Sequence, residues 1–377
     1  MMRIFKATQV FDGWSLHDHA AVSLHEDGRI ATLHRAGDSM PQTADITDLG
    51  SGILAPGFVD LQVNGGDGVM VGPDTDAEQL ARICAAHARL GATAILPTLI
   101  TDTPRTTSAV IAAGVEAYRR GVPGFAGLHL EGPHLDPARK GAHDPVLIRP
   151  MTTDDLAELC KAAAILPALM VTLAPEAVSR DQISALHRAG VIVSLGHSGC
   201  SADIAKAAYD AGARCVTHLY NAMSPLQTRA PGLVGAAMTT AFVAGIIADD
   251  IHVAPECLQI ALHMKAPDSL FLVSDAMAFA GTDKTEITLN GRRILRHDKR
   301  LTLADGTLAG ADISLPQSVA HLVKLGADPA RALAMACRIP ADVIGARDLG
   351  RIAPGARGDL VFLAENFELR RVLPHRG

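Results

Sequence analysis

Four times between residues 77 and 219 a stretch of helical character ends in a glycine and an apolar run follows. Ala77–Leu90 precedes Gly91 and Thr93–Pro97, and Thr106–Arg120 precedes Gly121 and Phe125–Glu131. Ser179–Ala189 precedes Gly190 and Val191–Leu195, and Ser201–Ala211 precedes Gly212 and Cys215–Leu219. A glycine in that place suits the left-handed residue just past a helix C-terminus. Apolar strands alternating with helices of about 10 to 15 residues indicate a parallel sheet. Phe58–Val63, Ala168–Leu173, Val243–Ala248 and Leu270–Ser274 complete a set of eight candidate strands. Eight parallel strands with helical connections describe an α/β fold of the (β/α)8, or TIM-barrel, type. A doubly wound open sheet is the alternative, but the chain has neither a Gly-x-Gly-x-x-Gly fingerprint nor a P-loop.

The 377 residues exceed the roughly 250 that a barrel needs. Residues 3 to 55 read as short strands with turns at Asp12-Gly13 and Asp27-Gly28, and Val22–Ala31 reads as a hairpin. The tail returns to this pattern, with hairpins at Ile287–Arg293 and Leu301–Leu308, helices at Leu315–Leu325 and Pro329–Cys337, and a last strand in Gly350–Leu363. The expectation is a small β-sandwich domain built from residues 1–54 and 346–377, around a catalytic barrel of residues 55–345. His17, His19, His25 and His34 in the first segment read as solvated surface residues.

Charged residues make up 20% of the chain and the net charge is −6, which gives no support to a nucleic-acid partner. The 6 cysteines form no Cys-x-x-Cys pair and read as reduced, mostly buried thiols. Met1–Thr8 lacks the shape of a signal peptide. Ala162–Pro175, the most apolar run, is broken by Pro167 and too short to span a bilayer. These features lead us to expect a soluble cytoplasmic enzyme with no membrane partner.

The C-terminal strand ends of such a barrel face the active site. Strand one ends Gln62-Val63-Asn64, strand three in Glu131, strand five in Gly196-His197-Ser198 and strand six in His218-Leu219-Tyr220-Asn221. Strand seven runs into Asp249, Asp250 and His252, and strand eight ends Ser274-Asp275. A carboxylate at the end of a buried strand is costly without a cation to hold. Glu131, His197 and His218 supply one oxygen and two nitrogens, which with an open position is the catalytic form of a zinc site. Such a cation lowers the pKa of bound water to about 7. Asp275 is the natural proton carrier. Its alternative role is an N-cap of the following helix. Asp249 and Asp250 compete with it but, as adjacent residues, point opposite ways. His129 lies on the same strand face as Glu131, one layer deeper, and reads as a supporting residue. His134 and His143 fall in the following loop. Arg229 sits ten residues after the strand-six motif, where it either grips an anionic group bidentately or is an exposed loop charge.

Several of these segments together carry a resemblance: His129-Leu-Glu-Gly-Pro-His134, Lys140-Gly-Ala-His-Asp-Pro145, Gly196-His-Ser198, Thr217-His-Leu-Tyr-Asn-Ala-Met223 and Leu272-Val-Ser-Asp-Ala276. With Leu54–Asp60 and Gly350–Val361 they span nearly the whole chain. The chain resembles the N-acetylglucosamine-6-phosphate deacetylase family, within the metal-dependent amidohydrolase superfamily. The resemblance implies that Glu131, His197 and His218 hold one divalent metal, Zn²⁺ or alternatively Fe²⁺, and that Asp275 is the general acid/base. It implies that His143 contacts and polarises the acetyl carbonyl. Asn221 and Ala222 through backbone N–H groups, with Arg229 and His252, would hold the sugar phosphate. It further implies a homodimer, because the phosphate-gripping arginine can come from the adjacent subunit. The reaction implied is hydrolysis of the acetamide of N-acetylglucosamine 6-phosphate by a metal-bound hydroxide, giving glucosamine 6-phosphate and acetate. The alternatives are the galactosamine epimer, a cyclic amide substrate, or a barrel retained as a non-catalytic binding protein.

Four positions depart from the pattern. Gln62 and Asn64 stand where many amidohydrolases carry His-x-His, and amides are poor metal ligands, so a single tightly bound metal is expected. Asp250 stands where glycine is common. Its carboxylate would repel a phosphate, so either it points away or the substrate differs. Ala311 stands where serine is common.

Overall fold

The structure, a computed structural model, describes residues 2–41, 43–289 and 292–373. The Asn290-Gly291 turn of the expected Ile287–Arg293 hairpin, and residues 374–377 of the expected terminal domain, lie outside the described residues. The central sheet has eight strands: β1 (Phe58–Val63), β2 (Ala92–Ile100), β3 (Leu128–Glu131), β4 (Leu169–Leu173), β5 (Ile192–Leu195), β6 (Cys215–Val216), β7 (Val243–Ile246) and β8 (Leu270–Leu272). They follow one another in sequence order and every pairing is parallel. Between β8 and β1 the ladder gives way to one parallel bridge, Val63 to Ala276. The Asp60 carboxylate reinforces that seam by accepting the Ser274 N–H at 3.2 and 3.3 Å. The result is a nearly closed eight-stranded parallel barrel of mixed α/β class.

The connections carry helices α1 (Ala77–Arg89), α2 (Pro104–Arg119), α3 (Thr153–Ala163), α4 (Arg180–Arg188), α5 (Ala202–Ala211), α6 (Gly232–Thr239) and α7 (Pro255–Met264). Local chemistry sets their ends. Asp76 caps α1 by accepting the Gln79 N–H, and Thr152/Asp155 and Ser179/Gln182 form reciprocal capping boxes on α3 and α4. Gly91, Gly121, Gly190 and Gly212, the four glycines that end the repeats, have φ of +98°, +64°, +89° and +123°. At Gly212 a Cβ would also lie 2.6 Å from that of His187.

Strand β2 runs three residues beyond the apolar run Thr93–Pro97, and it accommodates Pro97 at a register shift between Ile95 and Pro97, where the missing ladder donor is tolerated. Strand β6 stops at Val216, short of the expected Leu219, because the chain turns to positive φ at His218. The expected helices near the C-terminus are α8 (Leu315–Lys324) and α9 (Pro329–Ala336), with a further short α10 (Arg338–Val343).

Besides a two-stranded ribbon of Gly65–Gly66 and Val69–Met70, three larger sheets frame the barrel. Strands Glu286–Leu289, Arg292–His297, Arg300–Leu303 and Leu308–Ala311 form an antiparallel sheet inserted between β8 and α8. A second sheet runs Ile30–His34, Ala21–Leu24, Arg3–Lys6, Asp45–Asp48, and a third runs Leu369–Leu373, Leu360–Leu363, Ile53–Pro56, Gln9–Phe11, Leu16–Asp18. Phe5, Val22, Leu24 and Ile30 of the second sheet and Val10, Leu54, Leu360 and Phe362 of the third share one apolar cluster. Strand Ile53–Pro56 crosses the expected boundary between residues 54 and 55. His34, read as solvated, is buried at the end of its strand, where Nε2 lies 3.1 Å from Ser23 Oγ. The sequence showed its polarity but not the strand opposite that supplies a partner. Among the described residues no helix is long and apolar enough to cross a membrane.

Candidate active site

The tips of β3, β5 and β6 bring three side chains to one point. Glu131 Oε1 lies 3.1 Å from His197 Nε2 and 3.0 Å from His218 Nε2, and the two imidazole nitrogens are 3.1 Å apart. All three residues are buried. His197 (φ +47°), His218 (φ +29°) and Asp275 (φ +48°) adopt backbone conformations that cost a non-glycine residue roughly 1–3 kcal/mol each and gather at functional sites. Here those conformations turn the side chains off the strand ends into the barrel mouth.

The protonation pattern suits a cation. His197 Nδ1 donates to the Arg139 carbonyl at 2.8 Å, so its Nε2 presents a lone pair. Two imidazole nitrogens this close to one carboxylate oxygen need a shared positive charge. Ligands on a tetrahedral zinc lie roughly 3.3 Å from one another, given bonds of about 2.0–2.2 Å. The observed spacing therefore fits a one-oxygen, two-nitrogen set. Burial pushes the Glu131 carboxyl up, but the adjacent His197 and His218 outweigh it and hold it well below the ordinary carboxylate range.

His143 also comes close. Glu131, His143 and His197 each offer a ligand atom within 4.8 Å of the others. Yet the Thr101 backbone N–H reaches His143 Nδ1 at 3.2 Å, and a backbone N–H can only donate. Nδ1 is therefore the acceptor and Nε2 carries the hydrogen. Burial, then the neighbouring His197, pushes the His143 pKa down to about 3, so the ring is neutral. A neutral imidazole with Nε2–H, 4.0 Å from Glu131 Oε2, is a hydrogen-bond donor to whatever enters and a poor ligand.

Strand β1 lines the opposite wall. Its inward residues alternate, and each touches a different group. Asp60 holds Ser274 across the seam, Gln62 Nε2 donates to both Glu131 oxygens at 3.3 Å, and Asn64 Nδ2 donates to Asp275 Oδ1 at 2.7 Å. Gln62 and Asn64 stand where a second metal pair was considered, and they act as donors that orient two carboxylates. Burial first, and the charge of Glu131 second, push Asp275 up to about 6, while Asn64 acts the other way.

One layer deeper, His129 Nδ1 lies 2.9 Å from the Leu61 carbonyl, so it donates there and Nε2 accepts from Thr172 Oγ1 at 2.7 Å. That fixes the direction of a chain in which Ser194 donates to Thr217 and Thr217 to Thr172, each at 2.6 Å. His129 is thus spent beneath the site and does not enter it.

Above these groups is a cavity of about 250 Å³ lined by Asn64, Glu131, His143, His197, His218, Asn221, Ala222, His252 and Asp275. Thr307–Gly310 of the inserted sheet also line it. The hairpin was legible in the sequence, but its place over the barrel mouth was not, since no local pattern encodes where an insertion docks. Asp249, considered as a proton carrier, instead holds His252 Nδ1 at 2.6 Å and both the Ile251 and His252 N–H groups. Asp250 points away from this cavity, and its Oδ1 lies 2.7 Å from His321 Nε2 on α8. The Asn221 N–H donates to the His218 carbonyl at 3.0 Å, so that backbone donor, expected to hold phosphate, is already engaged. The Ala222 N–H has no hydrogen-bond partner among the described residues. Arg229 lies in an exposed loop and is not among the residues lining the cavity.

Comparison with known proteins agrees with this geometry. Residues 53–373 match the model of the amidohydrolase family. The chain is 38% identical over 369 residues to an N-acetylgalactosamine-6-phosphate deacetylase of Shewanella sp. (strain ANA-3), covering 97% of this chain and 93% of that protein. It is 34% identical over 327 residues to an N-acetylglucosamine-6-phosphate deacetylase of Haemophilus influenzae, covering 85% of each. Its fold is similar to the crystal structure of N-acetylglucosamine-6-phosphate deacetylase from Pasteurella multocida, with a TM-score of 0.94 at 31% identity, covering 100% of this chain and 98% of that one. The chain belongs to the amidohydrolase family, in the group that holds the N-acetylglucosamine- and N-acetylgalactosamine-6-phosphate deacetylases.

Proposed function

We propose that the chain hydrolyses the acetamide of an N-acetylhexosamine 6-phosphate, N-acetylglucosamine 6-phosphate in the first place, to the amino sugar phosphate and acetate. The observation that carries this reading is the meeting of the Glu131, His197 and His218 ligand atoms within 3.1 Å of one another, beside Asp275 and the neutral Nε2–H of His143. A divalent cation held by Glu131, His197 and His218, zinc or iron(II), supplies Lewis-acid polarisation of water and carbonyl. Asp275 takes a proton from the attacking water as the C–O bond forms. It returns that proton to nitrogen as the C–N bond breaks. His143 donates to the carbonyl oxygen as negative charge grows there. His252, braced by Asp249, and the turn at Asn221 and Ala222 face the sugar end of the cavity.

Arg229 reaches the phosphate from a second copy of the chain, which makes the working enzyme a homodimer in the cytoplasm. Its exposure in a loop outside its own cavity supports that reading. Residues 1–54 and 346–377 make up a small β-sandwich domain beside the barrel of residues 55–345. The apolar cluster common to the two terminal sheets supports this.

A second reading, the galactosamine epimer, is favoured by the 38% identity to the Shewanella relative. Acetate release from purified protein, measured on N-acetyl gluco-, galacto- and mannosamine 6-phosphates with and without added metal, decides between them. Release from none of the three would sink the deacetylase reading.

A further inference from the structure

Asn64, just past the tip of β1, is pinned on both sides. Its N–H donates to the Ala276 carbonyl at 2.8 Å, and its carbonyl accepts the Val71 N–H at 2.9 Å. The side chain is 2% exposed and lines the catalytic cavity. Its amide orientation is determined by two acceptors on one side, Asp275 Oδ1 at 2.7 Å and the Asp275 carbonyl at 3.4 Å. The reversed amide would set oxygen against carboxylate oxygen, so Nδ2 faces Asp275. Asn64 Oδ1 is consequently a buried acceptor, and it has no hydrogen-bond partner among the described residues. Leaving such a group unsatisfied is costly, because it has given up water and gained no partner. A rigid, buried acceptor at the wall of an active-site cavity is matched by a donor that arrives with the substrate.

The proposed substrate brings one donor to the reacting centre itself, the N–H of the acetamide. We propose that Asn64 Oδ1 accepts that N–H, so that one side chain binds the leaving nitrogen through its oxygen and Asp275 through its nitrogen. This deepens the deacetylation reading and rests on it. When water oxygen bonds to the carbonyl carbon, the nitrogen loses its amide conjugation and becomes pyramidal with a free lone pair. Holding N–H on Asn64 turns that lone pair toward the neighbouring Asp275, which delivers the proton. The C–N bond then breaks, and the amine and acetate leave. Without Asn64 the nitrogen is free to present its N–H to Asp275, and proton delivery fails. Asn64 is therefore a substrate-contacting residue that selects secondary amides.

The test compares N-acetylglucosamine 6-phosphate with its N-methyl-N-acetyl analogue, which needs the same nitrogen protonation but has no N–H. The galactosamine pair is run in parallel. Kcat/KM is measured for wild type, Asn64→Ala and Asn64→Asp, with metal content read for each. Sites built to bind a substrate N–H reject analogues lacking it by up to about 10⁴–10⁵, and wild type is expected to prefer the N–H substrate by a factor on the order of 10² or more. Asn64→Ala lowers that preference at least roughly tenfold, the equivalent of one hydrogen bond. Asn64→Asp keeps an acceptor and keeps the preference, while turning over both substrates more slowly because its donor to Asp275 is gone. Metal content stays at the wild-type level in both. Equal loss on both substrates in Asn64→Ala, with the preference intact, would mean that Asn64 only positions Asp275, and the assignment falls. Wild-type protein that releases acetate from none of the N–H substrates overturns the deacetylation reading, and the Asn64 assignment with it.

Discussion

Two cavities lie back to back at the barrel mouth, about 250 Å³ and about 550 Å³ in volume. They are lined by alternate residues of the same segments. Asp275 and Met277 line the smaller and Ala276 the larger, and Gly310 lines the smaller and Ala311 the larger. In the larger cavity, which Lys299 and Lys324 also line, the acidic side chains each face a basic neighbour. Arg296 is clasped through two nitrogens by Asp312 at 2.7 Å each, and His321 faces Asp250 at 2.7 Å. In the smaller cavity two imidazoles converge on one carboxylate oxygen, His143 presents an N–H, and Asn64 Oδ1 is unmatched. Capacity for chemistry follows convergent groups still able to bond, not volume. Asp250 illustrates the point, since a carboxylate that would oppose a phosphate is turned out of the smaller cavity and paired in the larger.

The contrast is open to attack from its strongest side first. Chelation of the bound metal should reduce acetate release to background, and zinc or iron(II) should restore it. Activity that survives complete metal removal breaks the proposed function of the smaller cavity. Asp275→Asn should lower kcat by about 10²–10⁴, the range for a lost general acid/base, with metal content unchanged. Loss of metal in that variant would move Asp275 into the ligand set. His143→Ala should lower kcat by about 10²–10³, as for a lost oxyanion donor, again with metal retained. Metal loss there would show that His143 ligates with Glu131 and His197, against the tautomer argued above. Arg229→Ala should act mainly on KM, raising it roughly tenfold, because a charge-assisted hydrogen bond contributes about 1.5–3 kcal/mol. An unchanged KM points to a neutral substrate.

The smallest effects concern the paired charges. Asp155 on α3 accepts from Arg149 at 2.5 and 2.7 Å and from Thr152, and these bonds outweigh burial and hold its pKa below the ordinary 3.8. A depressed carboxyl contributes stability that is present above its unfolded pKa and lost as pH falls through the folded one. Denaturation midpoints should therefore fall with pH below about 3.9, and more steeply for wild type than for Asp155→Asn. Replacing Asp250 by Asn, or His321 by Ala, should change stability by no more than about 1 kcal/mol, as for a partly exposed pair at the cavity wall. Turnover should be nearly unchanged. A tenfold loss of kcat in either would make the larger cavity part of the chemistry.

Much of this was legible in one dimension. The helix-ending glycines at 91, 121, 190 and 212 announced βα units, and all four have positive φ. The polar residues at the strand ends, Glu131, His197, His218 and Asp275, announced the rim. Strand ends were less legible. His218 cut β6 short by turning the chain, a strain that the barrel imposes and that no propensity records. Gln62 and Asn64 were readable as missing ligands, but their work as donors to Glu131 and Asp275 depends on strands 69 and 211 residues away in sequence.

The sequence by itself determined the alternation of strand and helix, the polar strand tips and the kind of atoms that meet there. Periodicity and residue chemistry are local properties that survive in a string. Tertiary structure alone decided which nitrogen of His143 bears its proton, which cavity receives Asp250 and which face of Asn64 is left free to bond. Each of these is a question of direction between groups distant in sequence, and direction exists only once the barrel has closed.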